Sequence, residues 1–157
     1  MTVDPPWLAI ARGEIGVRET PGPGDTSRID EYLSTTRLPE AMVHDATPWC
    51  AAFVCWCLER SGVPSTKRAA ARSYLHWGHA IAEPRLGCIV VFSRAAGGPG
   101  SGHVGFYVGS EPARELSPGL RALESIRVLG GNQRDQVCER TYPVSRVLGY
   151  RWPTVDG

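Results

Sequence analysis

The stretch Thr47-Pro48-Trp49-Cys50-Ala51-Ala52-Phe53 decides how this chain of 157 residues folds, because it carries the signals that begin a helix. Thr47 suits the N-cap position, and Pro48 suits the first helical position, where its missing N–H would have no intrahelical partner. Gly62 suits the end of the same helix. The stretch therefore predicts a helix with Cys50 about one turn inside its N-terminus.

The predicted helix is apolar on nearly every face. Its apolar side chains are Trp49, Ala52, Phe53, Val54, Cys55, Trp56, Cys57 and Leu58. A helix that is apolar all round is buried. We expect a central helix that packs on a sheet and presents its first turn at the sheet's edge, where the tip opens into a cleft.

Cys50 is a candidate nucleophile because of this position. Unpaired N–H groups and the positive end of the helix dipole favour a thiolate and can also donate to an oxyanion, and both effects serve acyl transfer. The chain has five cysteines, an odd number, and their spacing is not that of a zinc site. We therefore expect neither a disulfide framework nor a metal or other cofactor.

The rest of the chain reads as helices followed by strands. Helices are predicted at 7–17, 26–35 and 69–77 beside the Cys50 helix, with loops at 21–25 and 95–102, and strands at 88–92, 103–108, 125–129, 137–141 and 147–152. This order predicts an α+β fold with an antiparallel sheet. We expect one domain over residues 1–157.

Composition excludes several classes of partner. The chain is 42% hydrophobic and 21% charged with a net charge of +1, and its arginines are scattered. These values predict no nucleic-acid binding and no membrane insertion. The N-terminus lacks a basic region and a long apolar run, so we expect a protein made in the cytoplasm without a signal peptide.

A cysteine nucleophile needs a base, and histidine suits that role at neutral pH. His103 opens a predicted strand, and Gly105 beside it leaves room for the tip of the cysteine helix. His44 precedes the cap with no defined direction, whereas His76 and His79 flank the end of a predicted helix and suit a surface position. His103 is therefore the candidate base.

The base needs an orienting group, and Gly130-Gly131-Asn132-Gln133 is expected near His103 because the third strand of a meander ends beside the start of the second. Asn132 can accept a hydrogen bond from the imidazole, as in a Cys-His-Asn triad. Gln133 and Asp135 are substitutes. The segment also reads equally well as a plain turn.

Four residues are candidates for substrate binding. Asp45 lies shortly before Cys50, Tyr107 shares the His103 face, and Trp49 and Gln133 adjoin the candidate catalytic residues. Asp45 reads alternatively as a solvated loop carboxylate, and Trp49 as a core residue.

Together these motifs resemble the NlpC/P60 and CHAP-type papain-like cysteine peptidases, in particular the small single-domain bacterial and phage branch. The resemblance rests on the Cys50 stretch, Gly102-His103-Val104-Gly105-Phe106-Tyr107-Val108-Gly109 and Gly130-Gly131-Asn132-Gln133. Two features depart from the family pattern. At the start of the first predicted strand, Leu86-Gly87-Cys88 stands where the family usually has Pro-Gly-Asp. Around the candidate nucleophile, Trp49-Cys50-Ala51-Ala52 stands where many relatives have Asp-Cys-Ser-Gly, and this departure resembles the CHAP-like members of the superfamily.

The resemblance implies a peptidoglycan hydrolase that cleaves an amide in or next to the stem peptide through an acyl-enzyme, as an endopeptidase or an N-acetylmuramoyl-L-alanine amidase. It implies Cys50 as nucleophile, His103 as base, Asn132 as orienting residue, the Cys50 N–H in the oxyanion hole, and no metal. A wall hydrolase without a signal peptide suggests a phage lysis or tail enzyme, or an injected antibacterial effector with an immunity protein and secretion machinery as partners. It would act in the periplasm or outside the cell after delivery by another route.

Two other functions remain open from the sequence. The same thiol chemistry serves an acyltransferase or transglutaminase-like enzyme, which product analysis would separate from a hydrolase. A non-catalytic wall-binding or interaction module would keep Cys50 only as a core thiol, and selective alkylation of Cys50 would argue against it.

Overall fold

The structure is a computed structural model that describes residues 3–19, 27–37, 48–93, 102–122 and 124–154. The predictions for His44, Asp45, Thr47 and the loops at 21–25 and 95–101 lie outside these residues. Helix α1 spans Pro6–Gly13, α2 spans Ser27–Ser34 and α3 spans Cys50–Arg60. None of the helices in the described ranges is long and apolar enough to cross a membrane.

Helix α3 is buried as expected, but it begins later than the sequence predicts. Every residue from Cys50 to Leu58 is buried. Trp49 occupies the N-cap position with no side-chain cap, so the assignment of Pro48 to the first helical position is wrong. Tertiary contacts of Trp49, whose indole donates to Glu19 Oε1 at 2.8 Å, fix the backbone here and override the local capping signal. Cys50 is therefore the first residue of the helix.

Two other helix predictions also need correction. Helix α1 ends at Gly13, and Ile15 beyond it is exposed. The predicted fourth helix is a short 3₁₀ turn, Ala71–His76, which buries Ala71 and Tyr74. Residues three apart share a face of a 3₁₀ helix, which is why this pair alone is buried.

The strands are β1 (His79–Ile81), β2 (Ile89–Ser93), β3 (Gly102–Glu111), β4 (Arg114–Ser117), β5 (Leu120–Ala122), β6 (Ser125–Gln133), β7 (Gln136–Pro143) and β8 (Val147–Trp152), and a second 3₁₀ turn spans Val144–Arg146. Six of the strands form an antiparallel sheet in the order β1-β8-β2-β3-β6-β7. The strands β4 and β5 form a separate antiparallel pair. The α+β class is confirmed, although β1, β4 and β5 were not predicted.

The large sheet is strongly curled. In a flat sheet β2 and β7 would lie about 14 Å apart, since β3 and β6 stand between them. Yet the rings of Phe92 on β2 and Tyr142 on β7 are 4.7 Å apart. Register shifts in the β3–β6 and β6–β7 pairs add twist and help the sheet to curl.

The curled sheet has two faces that differ in what they contact. The helix face packs against the helices through Ile89, Val91, Val104, Phe106, Leu129 and Val137. The concave face gathers a smaller cluster of buried side chains, Cys88, Val90, Phe92, Ile126, Val128 and Tyr142. Strand alternation separates the two sets, because successive side chains point to opposite sides.

Candidate active site

Cys50 lies at the N-terminus of α3 and is only 4% exposed. The first turn of a helix has backbone N–H groups without intrahelical acceptors, so its positive end surrounds this residue. Gly131 on β6 lets the start of α3 approach the sheet, because a Cβ there would lie 2.7 Å from Trp49 Cζ3 and 2.8 Å from Phe53 Cβ. The glycine therefore sets how closely Cys50 approaches the strand that carries Gln133.

His103 is the second residue of β3 and is also 4% exposed. It pairs with Phe92 across the ladder, and its ring lies 6.1 Å from the Phe92 ring and 5.4 Å from the Tyr142 ring. Its imidazole therefore belongs to the concave face, inside a set of three mutually contacting rings.

The hydrogen-bond partner of the imidazole is Gln133, whose Oε1 lies 2.9 Å from His103 Nε2. Gln133 is 1% exposed. Its Nε2 donates to the carbonyls of Cys138 at 2.6 Å and Val128 at 3.3 Å. Both partners are acceptors, so the orientation of the amide is fixed and Oε1 must face His103 as an acceptor.

This network also fixes the tautomer of a neutral His103. Because Gln133 Oε1 can only accept, His103 Nε2 carries the hydrogen and Nδ1 carries the lone pair. The ring is thus prepared to take up a proton at Nδ1, which is what a general base requires.

Asn132, the predicted orienting residue, lies in the irregular segment where β6 ends. Regular alternation from Ile126 and Val128 would place Asn132 on the concave face with His103. The β6–β7 register shifts between Gly130 and Gln133, however, and Asn132 adopts a left-handed φ of 56°. One extra residue in a strand reverses which side chains share a face, so Gln133 takes the place that alternation predicts for Asn132.

Asp135, the other substitute, is exposed in the turn between β6 and β7, where its carbonyl accepts from the Glu19 N–H at 2.9 Å. Gly105 does not make room for the cysteine helix as expected. A Cβ there would lie 2.5 Å from Val128 Cγ1. The glycine instead allows β6 to approach β3.

The candidate substrate-binding residues are dispersed. Trp49 is fully buried between Glu19 and Tyr32, with ring centroids of Tyr32 and Trp49 5.9 Å apart. Tyr107 lies on β3 about 13 Å from His103 at the usual rise of a strand, and its hydroxyl bonds Ser110. The Gln133 side chain forms the buried hydrogen bond with His103.

The five cysteines are all thiols, but their environments differ. Burial raises the pKa of Cys57 well above its usual value and raises the pKa of Cys88 to about 11. The Sγ of Cys55 lies 3.0 Å from the Tyr74 hydroxyl. Cys50 alone occupies a helix N-terminus. Within the described ranges, no group of three His, Cys, Asp or Glu side chains could hold a metal ion.

Tyr142 is a residue of this site that the sequence did not suggest. Its hydroxyl donates to Gln133 Oε1 at 3.1 Å, and its ring contacts both Phe92 and His103. Burial raises the pKa of Tyr142 to about 12, and the negative charge of a Cys50 thiolate adds to this rise. Only the curl of the sheet, which no local pattern reports, could have indicated the contact of Tyr142 with His103.

The family model of the CHAP domain matches residues 42–117, which include Cys50 and His103 but end before Gln133. No curated protein matches the chain. A CHAP domain implies a peptidoglycan substrate and hydrolase activity of the amidase or peptidase type. The resemblance to the NlpC/P60 and CHAP-type cysteine peptidases is thus confirmed. Over residues 42–117 the chain matches the CHAP domain, a member of the NlpC/P60-like group of cysteine peptidases and amidases.

Proposed function

We propose that this protein hydrolyses an amide bond in or next to the peptidoglycan stem peptide, with Cys50 as nucleophile and His103 as base in a papain-like arrangement. The observation that carries the proposal is the buried hydrogen bond between His103 Nε2 and Gln133 Oε1, next to the strand against which α3 begins. This bond leaves Nδ1 as the basic atom, and the catalytic thiol–imidazole pair of acyl transfer needs such an oriented base.

The proposed reaction has two halves. His103 Nδ1 takes the proton from Cys50 Sγ, and the thiolate attacks the amide carbonyl. The oxyanion then lies against the first N–H groups of α3, and the imidazolium protonates the leaving amine as the thioester forms. Water, deprotonated by Nδ1, attacks the thioester and releases the acid, so that the Cys50 thiol is restored.

In this proposal the orienting role belongs to Gln133 rather than to Asn132. The supporting evidence is that Gln133 has its amide held by two backbone carbonyls, whereas Asn132 lies in the bulge. The reaction is an endopeptidase or an N-acetylmuramoyl-L-alanine amidase step, and both fit this geometry. A phage lysis enzyme or a delivered antibacterial effector, acting in the periplasm or outside the cell, remains our proposal for the biological role.

Digestion of purified peptidoglycan by wild type and Cys50→Ala tests the proposal. We expect the wild type to release fragments and Cys50→Ala to lose at least about 1,000-fold in rate, since the covalent route is removed. Mass analysis identifies the bond, because new muramic-acid ends indicate an amidase and new amino ends within the stem indicate an endopeptidase. Products joined to an added amine would instead indicate an acyltransferase.

Cys57→Ala is the matched control, because Cys57 lies two turns further along the same helix and is fully buried. We expect this variant to keep its rate per folded molecule. Intact peptidoglycan of every stem type after treatment with folded wild type would refute the hydrolase. Failure of Cys50 to react selectively with iodoacetamide would favour a non-catalytic module.

A further inference from the structure

Tyr142 has a place in this site that neither the family match nor the sequence assigns. It lies near the end of β7, is buried on the concave face, and is brought to His103 and Phe92 by the curl of the sheet. Its hydroxyl donates to the same oxygen, Gln133 Oε1, that accepts from His103 Nε2, at 3.1 and 2.9 Å. A buried hydroxyl needs a partner, and here the partner is the atom that orients the imidazole.

We propose that Tyr142 is a positioning residue, which holds Gln133 Oε1 with its hydroxyl and the His103 ring with its own ring, so that the imidazole keeps one tautomer and one orientation. This inference rests on the proposed function for its catalytic consequence. The geometry that carries it is the chain Tyr142 hydroxyl, Gln133 amide, His103 imidazole, in which each group is buried.

The Gln133 amide is held from both ends. Its Nε2 is held by the carbonyls of Cys138 and Val128, and its Oε1 is held by Tyr142 and His103. Removing the Tyr142 hydroxyl leaves the oxygen with only the imidazole as a donor. The two carbonyls still determine which end of the amide faces His103, but Oε1 loses one of its two donors and can shift, so the acceptor that selects the Nε2–H tautomer is held less firmly.

The rings supply a second restraint. The Tyr142 ring lies 5.4 Å from the His103 ring and 4.7 Å from Phe92, while Phe92 and His103 are stacked at 6.1 Å. Three rings in mutual contact restrict rotation of the imidazole about its χ2 angle. Tyr142→Phe keeps this restraint and removes only the hydroxyl, so the two contributions can be separated.

The surroundings of Tyr142 favour the neutral phenol, which can donate a hydrogen bond. Those that act on its hydroxyl are Arg140 and Cys138 on β7, Arg146 on the following 3₁₀ turn, and Cys50 on α3. The guanidinium carbons of Arg140 and Arg146 lie 5.8 and 5.6 Å from the ring centroid. A phenol is protonated at neutral pH, and burial raises the pKa of Tyr142 further, so its hydrogen remains available to Gln133.

The test compares wild type with Tyr142→Phe by two measurements. Nitrogen-15 NMR of His103 reports its tautomer without any substrate, and we expect the Nε2–H form in the wild type and a mixture in the variant. On solubilised peptidoglycan fragments we expect kcat to fall about three- to tenfold, the value of one hydrogen bond, with KM unchanged and the pH profile displaced.

Tyr74→Phe is the matched control, because its buried hydroxyl contacts Cys55 Sγ away from the site. We expect it to change neither the His103 spectrum nor kcat. If the nitrogen-15 shifts of His103 in Tyr142→Phe equal those of the wild type, the inference is overturned. An unchanged kcat in Tyr142→Phe would also overturn it. If folded wild type does not cleave peptidoglycan, the proposed function fails instead. The rate of Cys50 alkylation against pH then replaces kcat as the second measurement, and an unchanged profile in Tyr142→Phe would overturn the inference.

Discussion

The two faces of the sheet are built from the same strands, yet they serve different purposes. On the helix face, Val104, Phe106 and Leu129 meet the helices in a continuous apolar core. On the concave face the neighbouring residues of the same strands, His103 and Gln133 among them, form a buried polar network. Adjacent positions in one strand can therefore carry stability and chemistry separately, because their side chains point in opposite directions.

The largest expected effect on the concave face is that of His103→Ala. Removing the base should lower kcat/KM at least about 100-fold, since general base catalysis is typically worth that much or more. The measurement is the initial rate of fragment release from peptidoglycan. His79→Ala removes an exposed histidine and serves as the control. A rate within tenfold of wild type for His103→Ala would mean that another group accepts the thiol proton.

The second prediction distinguishes Gln133 from Asn132 as the residue that orients His103. Gln133→Ala should lower kcat by about 10- to 100-fold, because the imidazole loses its acceptor and two backbone carbonyls lose a donor. Asn132→Gly, which tolerates the φ of 56°, should stay within about threefold of wild type. Assays of both variants at matched folded concentration decide the assignment, and the reverse order would return the orienting role to Asn132.

The smallest effect on catalysis is expected on the helix face. Leu129→Ala removes a fully buried side chain that packs with the helices, so the free energy of unfolding should fall by about 2–5 kcal/mol. The kcat per folded molecule should be unchanged. Urea denaturation gives the first quantity, and rates normalised to titrated Cys50 give the second. A large loss of kcat in the folded variant would show that the two faces are coupled.

The larger elements could be predicted from sequence because their patterns are local. The all-round apolar character of α3 predicted its burial, and the strands β2, β3, β6, β7 and β8 followed from runs of β-branched and aromatic residues. The start of α3 was missed because the fixed position of Trp49 depends on Glu19, which is distant in sequence. The strand β1 was missed because His79–Ile81 is short and largely exposed, and it becomes a strand only by pairing with β8.

The arrangement of the candidate site could also be predicted only in part. The nearness of Gly130–Gln133 to His103 follows from meander topology, and the structure has this arrangement. Which side chain meets the imidazole depends on one bulge, and a single added residue exchanges Asn132 for Gln133. The contact of Tyr142 with His103 requires the curl of four strands, a property of the whole sheet that no window of sequence contains.

The position of β8 has a consequence for the order in which the molecule can assemble. Although it follows all the other strands along the chain, it lies between β1 and β2, pairing His79 with Trp152 and Val90 with Tyr150. During synthesis, β2 therefore lacks a neighbour on one side until residues near 150 leave the ribosome. Closing such long loops is entropically costly and slows folding. Until β8 is made, the edges of β1 and β2 that it pairs with stay open, and open strand edges favour aggregation of a nascent chain.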